Sequence, residues 1–173
     1  MFQPLKLDGD DVRRTLQMLK NIDPDSVKIL RKELRSALKP LAQDIANEVP
    51  TNAPLSGFQH GGPTAWSPVR PGVSFRPGKR RKGGPWTPLV ALEVGTKPQQ
   101  FRGVYIAELA GSRTNGVTEQ GKNLVRQLNQ QRSMKGRGGR YIYAGFRLQR
   151  SDAQNIAERI LKRFWERVDR KLR

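Results

Sequence analysis

Eight of the chain's twelve prolines fall between residues 50 and 88, together with seven of its seventeen glycines. Proline removes a backbone donor and clashes with the preceding helical turn, so no regular helix survives that density. Any fold must therefore place its helices before and after this stretch. The stretch is not a plain linker, because it carries Leu55, Phe58, Trp66, Val73, Phe75 and Trp86. A long loop with such residues packs on something. Residues 50–88 are expected to be an extended arm, with Val73-Ser74-Phe75 alternating as a short strand. Such a segment has too little around it to build a core of its own. Leu55, Phe58, Trp66, Phe75 and Trp86 are therefore expected to be buried against a neighbouring subunit.

The first fifty residues read as two helices. Asp10 is placed to cap the first, with Val12, Leu16 and Leu19 on one face, and this helix takes residues 1–22. Asp23-Pro24 restarts the pattern, with aspartate as cap and proline at the first helical position. From there Val27, Leu30, Leu34, Leu38, Leu41, Ile45 and Val49 run at spacings of three and four, giving a long helix over 24–49. Pro40 predicts a kink near Ser36–Pro40, while the unbroken phase of the stripe predicts one bent helix and not two.

Beyond the arm, residues 89–150 read as a sheet region with a basic loop. Leu89–Val94 is a strand closed by Gly95 and Pro98, Val104–Ala107 reads as a strand or the start of a helix, and Asn123–Gln130 has a short helical pattern. Residues 132–140 are a glycine-rich basic loop. Ser151 then caps a final helix over 151–173, with Ile156, Ile160, Phe164, Val168 and Leu172 on one face. The sum is one α+β domain over 1–173. Its long kinked N-terminal helix and its C-terminal helix pack on a small, mainly antiparallel sheet, from which the Pro/Gly-rich basic arm extends.

Charge sharpens the reading. The 33 Lys and Arg outnumber 15 Asp and Glu, for a net charge of +18. Residues 1–50 contribute only +1, and residues 51–173 contribute +17, with no acid between Glu48 and Glu93. A surface of that sign meets polyanions or acidic partners. The run Lys79-Arg80-Arg81-Lys82 beside Arg76, and the loop with Arg132, Lys135, Arg137 and Arg140, are the candidate contacts for DNA or for a protein partner. Basic runs of this kind bind phosphate backbones without reading sequence.

Chemistry has few places to live. With no cysteine, disulfides, thiolate zinc sites and iron–sulfur clusters are excluded. The lone histidine, His60, sits in a turn-like Gln59-His60-Gly61-Gly62. Gly116 to Asn123 nearly matches a phosphate-binding loop, but Asn123 replaces the magnesium-binding hydroxyl. Glu93 and Glu108 are carboxylates among many arginines, where counter-ion duty is the ordinary role. No enzyme, cofactor or metal is expected. Met1–Lys6 lacks the apolar stretch of a signal peptide and no run is long enough to span a membrane, so an intracellular pool is expected.

The order of segments is informative. A long helix ends in Ile45-Ala46-Asn47-Glu48-Val49-Pro50, then come Ala53-Pro54-Leu55-Ser56-Gly57 and Ala65-Trp66. Tyr105-Ile106-Ala107-Glu108-Leu109-Ala110-Gly111 follows, then Arg140-Tyr141-Ile142-Tyr143-Ala144-Gly145-Phe146 and a closing helix. Over roughly residues 25–172 this order resembles the tail-completion or head–tail connector proteins of long-tailed bacteriophages. In that family a sheet strand carries the Tyr-x-Glu-x-Ala-Gly stretch. The resemblance implies a virion structural protein, assembled in the host cytoplasm into a homo-oligomeric ring at the neck around the DNA channel. Its neighbours would be the connector or stopper, the tail terminator and the tail tube, with non-specific contact to genomic DNA and no membrane. Read without the resemblance, the basic clusters fit a sequence-independent nucleic-acid-binding protein.

Overall fold

The computed structural model describes residues 16–21, 23–75, 90–96, 102–111, 116–132 and 139–172. Among them are five α-helices and one two-stranded antiparallel sheet, the α+β class expected. In chain order they are α1 (residues 16–21), α2 (Pro24–Asn47), a 3-10 turn (Ser56–Phe58), β1 (Val69–Phe75), β2 (Val90–Thr96), α3 (Gly103–Leu109), α4 (Glu119–Gln131) and α5 (Ile142–Leu172).

Helix α2 begins as its sequence dictates. The Asp23 carboxylate accepts the Ser26 amide at 3.1 Å and the Ser26 hydroxyl at 2.6 Å, and Pro24 occupies the first turn, where no donor is missed. The helix is continuous through Pro40, so the in-phase apolar stripe does specify one helix. Strand β1 carries Pro71 and Gly72, and both strands of a two-stranded sheet are edges, the positions to which proline in sheets is confined.

Three expectations are corrected. The last helix starts at Ile142, nine residues before Ser151, which lies exposed inside α5. The strand that the resemblance implies for the Tyr105–Gly111 stretch is a helix, the second of the two readings that Val104–Ala107 leaves open. Of the region 89–150, only β2 is sheet among the described residues, and the remainder is mainly helix.

The chain forms two compact units. One takes the chain as far as Pro40, Val73–Glu93 and everything from Asp152; the other takes Leu41–Gly72 and Val94–Ser151. In the first, Leu16 and Leu19 of α1, Val27, Leu30 and Leu34 of α2, Phe75 of β1, and Leu161, Phe164 and Val168 of α5 make a single buried cluster. Thus α2 and α5 meet the same end of the ribbon, as their one-sided stripes require. The ion pairs Arg167–Glu33 (3.1 Å) and Lys171–Asp23 (2.9 Å) decorate its rim. Both are substantially exposed and add little stability. The second unit buries Ala42 and Ile45 of α2, Val49 just beyond its end, Phe58, Val104 and Ala107 of α3, Val125 and Leu128 of α4, and Tyr141 and Ile142 at the start of α5.

Candidate functional site

The second unit is organised around two buried charges. Glu108, on the last turn of α3, is 2% exposed, and Arg140, two residues before α5, is 1% exposed. Neither lies where its sequence neighbours would place a functional ion. The Glu108 carboxylate accepts the amides of Tyr141 (2.7 Å), Ile142 (3.2 Å) and Tyr143 (2.9 Å). Those are donors that the first turn of α5 leaves without intrahelical partners. The negative charge also complements the positive end of the helix dipole. In the other direction, Arg140 donates to the Ala107 carbonyl (2.7 Å), to the Ala110 carbonyl, and to Asn129 Oδ1 on α4 (2.7 Å). The carbonyls at the end of α3 are orphans of the opposite kind. Each helix end is therefore capped by a charged residue from the other's segment.

The geometry demands glycine at position 139. Its φ is +109°, and a Cβ built there would collide with the Glu108 carboxylate. Burial pulls the Arg140 guanidinium below its ordinary pKa, while Tyr141 and Glu108 nearby favour its charged form. Burial likewise pushes the Tyr141 phenol up, opposed by Arg140 and Arg132. Arg140 Nε is the one buried side-chain polar atom without a hydrogen-bond partner among the described residues. With its oxygens engaged by three amides, Glu108 is a structural cap and not an acid or base.

An aromatic layer adjoins this network. The Trp66 ring lies 5.9 Å from Phe58 and 6.4 Å edge-on from Tyr141, and its indole N–H donates to the Pro50 carbonyl at 2.9 Å. Arg132 stacks over Tyr141 at 5.5 Å, donates to the Glu48 carbonyl at 3.2 Å, and forms an ion pair with the Glu48 carboxylate. The first part of the arm is thus folded onto its own chain.

This placement revises the candidate residues. Arg140 is not a partner or DNA contact, because its guanidinium is enclosed and spent on carbonyls. Arg132 is committed to Glu48 and Tyr141. Phe58 and Phe75 are buried within the chain and leave water without a neighbouring subunit, while Leu55 and Trp66 are half-buried there and keep part of their surface exposed. The reason is that residues distant in sequence, Tyr141 and the α2 and α5 stripes, supply the core that the segment lacks locally. Arg76, Lys79, Arg80, Arg81, Lys82, Trp86, Lys135 and Arg137 lie outside the described residues.

The remaining motifs resolve simply. His60 is exposed in a loop. In the phosphate-loop-like segment, Thr118 is the N-cap of α4 and accepts the Gly121 amide at 3.1 Å, while Lys122 pairs with Glu119 at 2.6 Å. Among the described residues no three or more His, Cys, Asp or Glu come together in a metal-binding group, and no helix is long and apolar enough to cross a membrane.

Sequence reasoning missed two features. Glu108 as a cap has no local signal, since it serves a helix more than thirty residues away. The second is a face of α2 on which Lys28, Arg31, Lys32, Arg35 and Lys39 are all exposed. Their i, i+3, i+4, i+7, i+11 spacing was legible, but the near-neutral balance of residues 1–50 concealed it. Comparison with protein-family models, with curated proteins and with solved structures finds no match.

Proposed function

We propose that the chain is a structural subunit of the neck of a long-tailed bacteriophage, a tail-completion or head–tail connector protein that forms a homo-oligomeric ring around the DNA channel. One observation supports this reading above others. The short segments that carry the family resemblance, scattered over a hundred residues, make contact with one another. Glu48 holds Arg132, which covers Tyr141; Pro50 accepts from Trp66; Trp66 packs on Tyr141; Glu108 receives Tyr141; and Arg140 caps Ala107 and Ala110. Residues that recur in order because they build one joint are expected to recur together, whereas chance likenesses have no reason to converge. On this reading the protein works by geometry and contact, without catalysis, in the virion, with neck and tail proteins as neighbours.

The test is genetic. Disrupting the gene in the phage that carries it should leave DNA-filled heads and finished tails that fail to join, and supplying the protein in trans should restore joined particles. Normal yields of joined particles without the protein would overturn the proposal.

A further inference from the structure

The basic face of α2 belongs to no part of the proposed ring mechanism and carries five exposed cations between Lys28 and Lys39. Lys28, Arg31, Lys32, Arg35 and Lys39 line a shallow surface recess together with Ser36. All six are exposed, and no acid lines the recess, although Asp25 adjoins it one turn before Lys28. The acids of α2 are Asp25, Glu33 and Asp44, none of which lines the recess. Asp25 pairs with Lys28 at 2.9 Å on the exposed first turn, Glu33 pairs with Arg167, and Glu48 pairs with Arg132 beyond the helix end. Arg31 leans its guanidinium over Phe75 at 5.0 Å, which fixes one edge of the face. Among the described residues Lys32, Arg35 and Lys39 have no ion-pair or hydrogen-bond partner.

We infer that this face of α2 is a docking surface for the phosphate backbone of duplex nucleic acid, read without regard to base sequence. Three arguments favour that occupant over an acidic protein. The first is composition. Lysine is depleted from protein–protein interfaces, which draw on aromatic residues, methionine and arginine. Here three of the five cations are lysine and the recess holds no large apolar side chain. The second is chemistry. Lysine, arginine and serine are the side chains that contact phosphate oxygens, and a rigid helix presents them with no cost of ordering a loop. The third is reach. From Lys28 to Lys39 the helix rises about 16 Å, the axial length of about five phosphates on one strand of a duplex. One cation or pair per turn then faces a continuous line of negative charge. The inference does not rest on the neck reading, and it assigns a role to a surface that reading leaves idle.

The experiment uses the full chain and a fluorescein-labelled 30-base-pair duplex of random sequence, with affinity measured by anisotropy over a series of salt concentrations. The stripe variant is Lys32→Gln/Arg35→Gln/Lys39→Gln. A charge-matched control is Lys122→Gln/Arg126→Gln/Arg147→Gln, all exposed and carried by α4 and α5. Circular dichroism should show the same helix content in all three proteins, since no buried group is changed. The stripe variant should bind the duplex roughly tenfold or more weakly at low salt. The slope of log affinity against log salt should fall by about 2–3, one increment per lost phosphate contact. The control should retain most of its affinity. Equal losses in both variants would mean that net charge and not this face does the binding, and would overturn the inference. So would absence of duplex binding by the unaltered chain. Polyglutamate displacing the duplex as well as unlabelled duplex does would assign the face to acidic protein instead. None of these outcomes touches the joining of heads to tails, so the two proposals fail separately.

Discussion

Arg140 shows how far a residue type can mislead about a residue's work. In a basic, glycine-rich segment it reads as one more surface cation, yet it is the largest fully buried side chain of its unit and holds three acceptors. Glu108 mirrors it from α3. Hydrogen bonds to charged groups contribute about 1.5–3 kcal/mol each, and stranding one buried charge by removing its complement costs about 3–5 kcal/mol. Glu108→Ala should therefore lose about 3–5 kcal/mol in urea unfolding, with α5 losing its first-turn cap. Arg140→Met, which keeps the stem and removes the charge, should also destabilise, since Ala107 and Ala110 lose their donor. The double variant should cost at least about 1 kcal/mol less than the sum of the two, because each single change leaves the other's charge uncompensated. Strict additivity in that cycle would show that the two caps work independently.

At the scale of elements, the helices whose ends are set locally were legible and those set by tertiary contacts were not. Asp23-Pro24 announces α2, and the structure places the Asp23 carboxylate on Ser26 as the cap requires. The hydroxyl of Ser26, then Lys171, then the Ser26 amide hold that carboxyl below its ordinary value of 3.8. A depressed carboxylate pKa means stability that is present above about pH 4 and is lost as pH falls through the lowered value. Asp23→Asn should therefore be less stable than the unaltered chain at neutral pH, by urea midpoint, and the gap should narrow as pH drops below 4. A gap independent of pH would show that the charge of Asp23 contributes nothing. The start of α5 has the opposite character. Its cap comes from Glu108, and Gly145 weakens any helical pattern, so Ser151 looked like the better start. Gly145 is there because α2 passes close by: a Cβ would meet Ile45 Cα at 3.1 Å. Likewise Val104–Ala107 has side chains suited to a strand, yet it forms a helix whose end receives the Arg140 guanidinium from more than thirty residues away. Of the candidate site, the cations of α2 stand at a legible helical spacing that the near-neutral balance of residues 1–50 hides, while the joining of Glu48, Trp66, Glu108 and Tyr141 needed contacts that no local pattern encodes.

For the whole molecule the dominant quantity is the net charge of +18. Copies brought together in a ring repel, and the repulsion depends on how far each charge reaches through solvent. The screening length is about 10 Å at 0.1 M salt and about 3 Å at 1 M. Phe58 and Phe75 are consumed by the chain's own cores, and the large apolar side chains left exposed among the described residues are Met18, Ile29, Tyr105, Leu109, Val117, Tyr143 and Leu148, few against a charge of this size. Association of the proposed ring must therefore wait for counter-charge. The purified chain should be monomeric by light scattering at 50 mM salt. It should shift towards oligomers when salt is raised to 500 mM, and shift further when a short duplex is added at low salt. The duplex should act more strongly than salt because it neutralises the basic faces directly and releases its own counterions. A stable ring at 50 mM salt with no polyanion present would mean that contacts between copies outweigh the repulsion unaided. The counter-charge would then have no part in assembly, and the basic surfaces would have to be explained by DNA or partner binding alone.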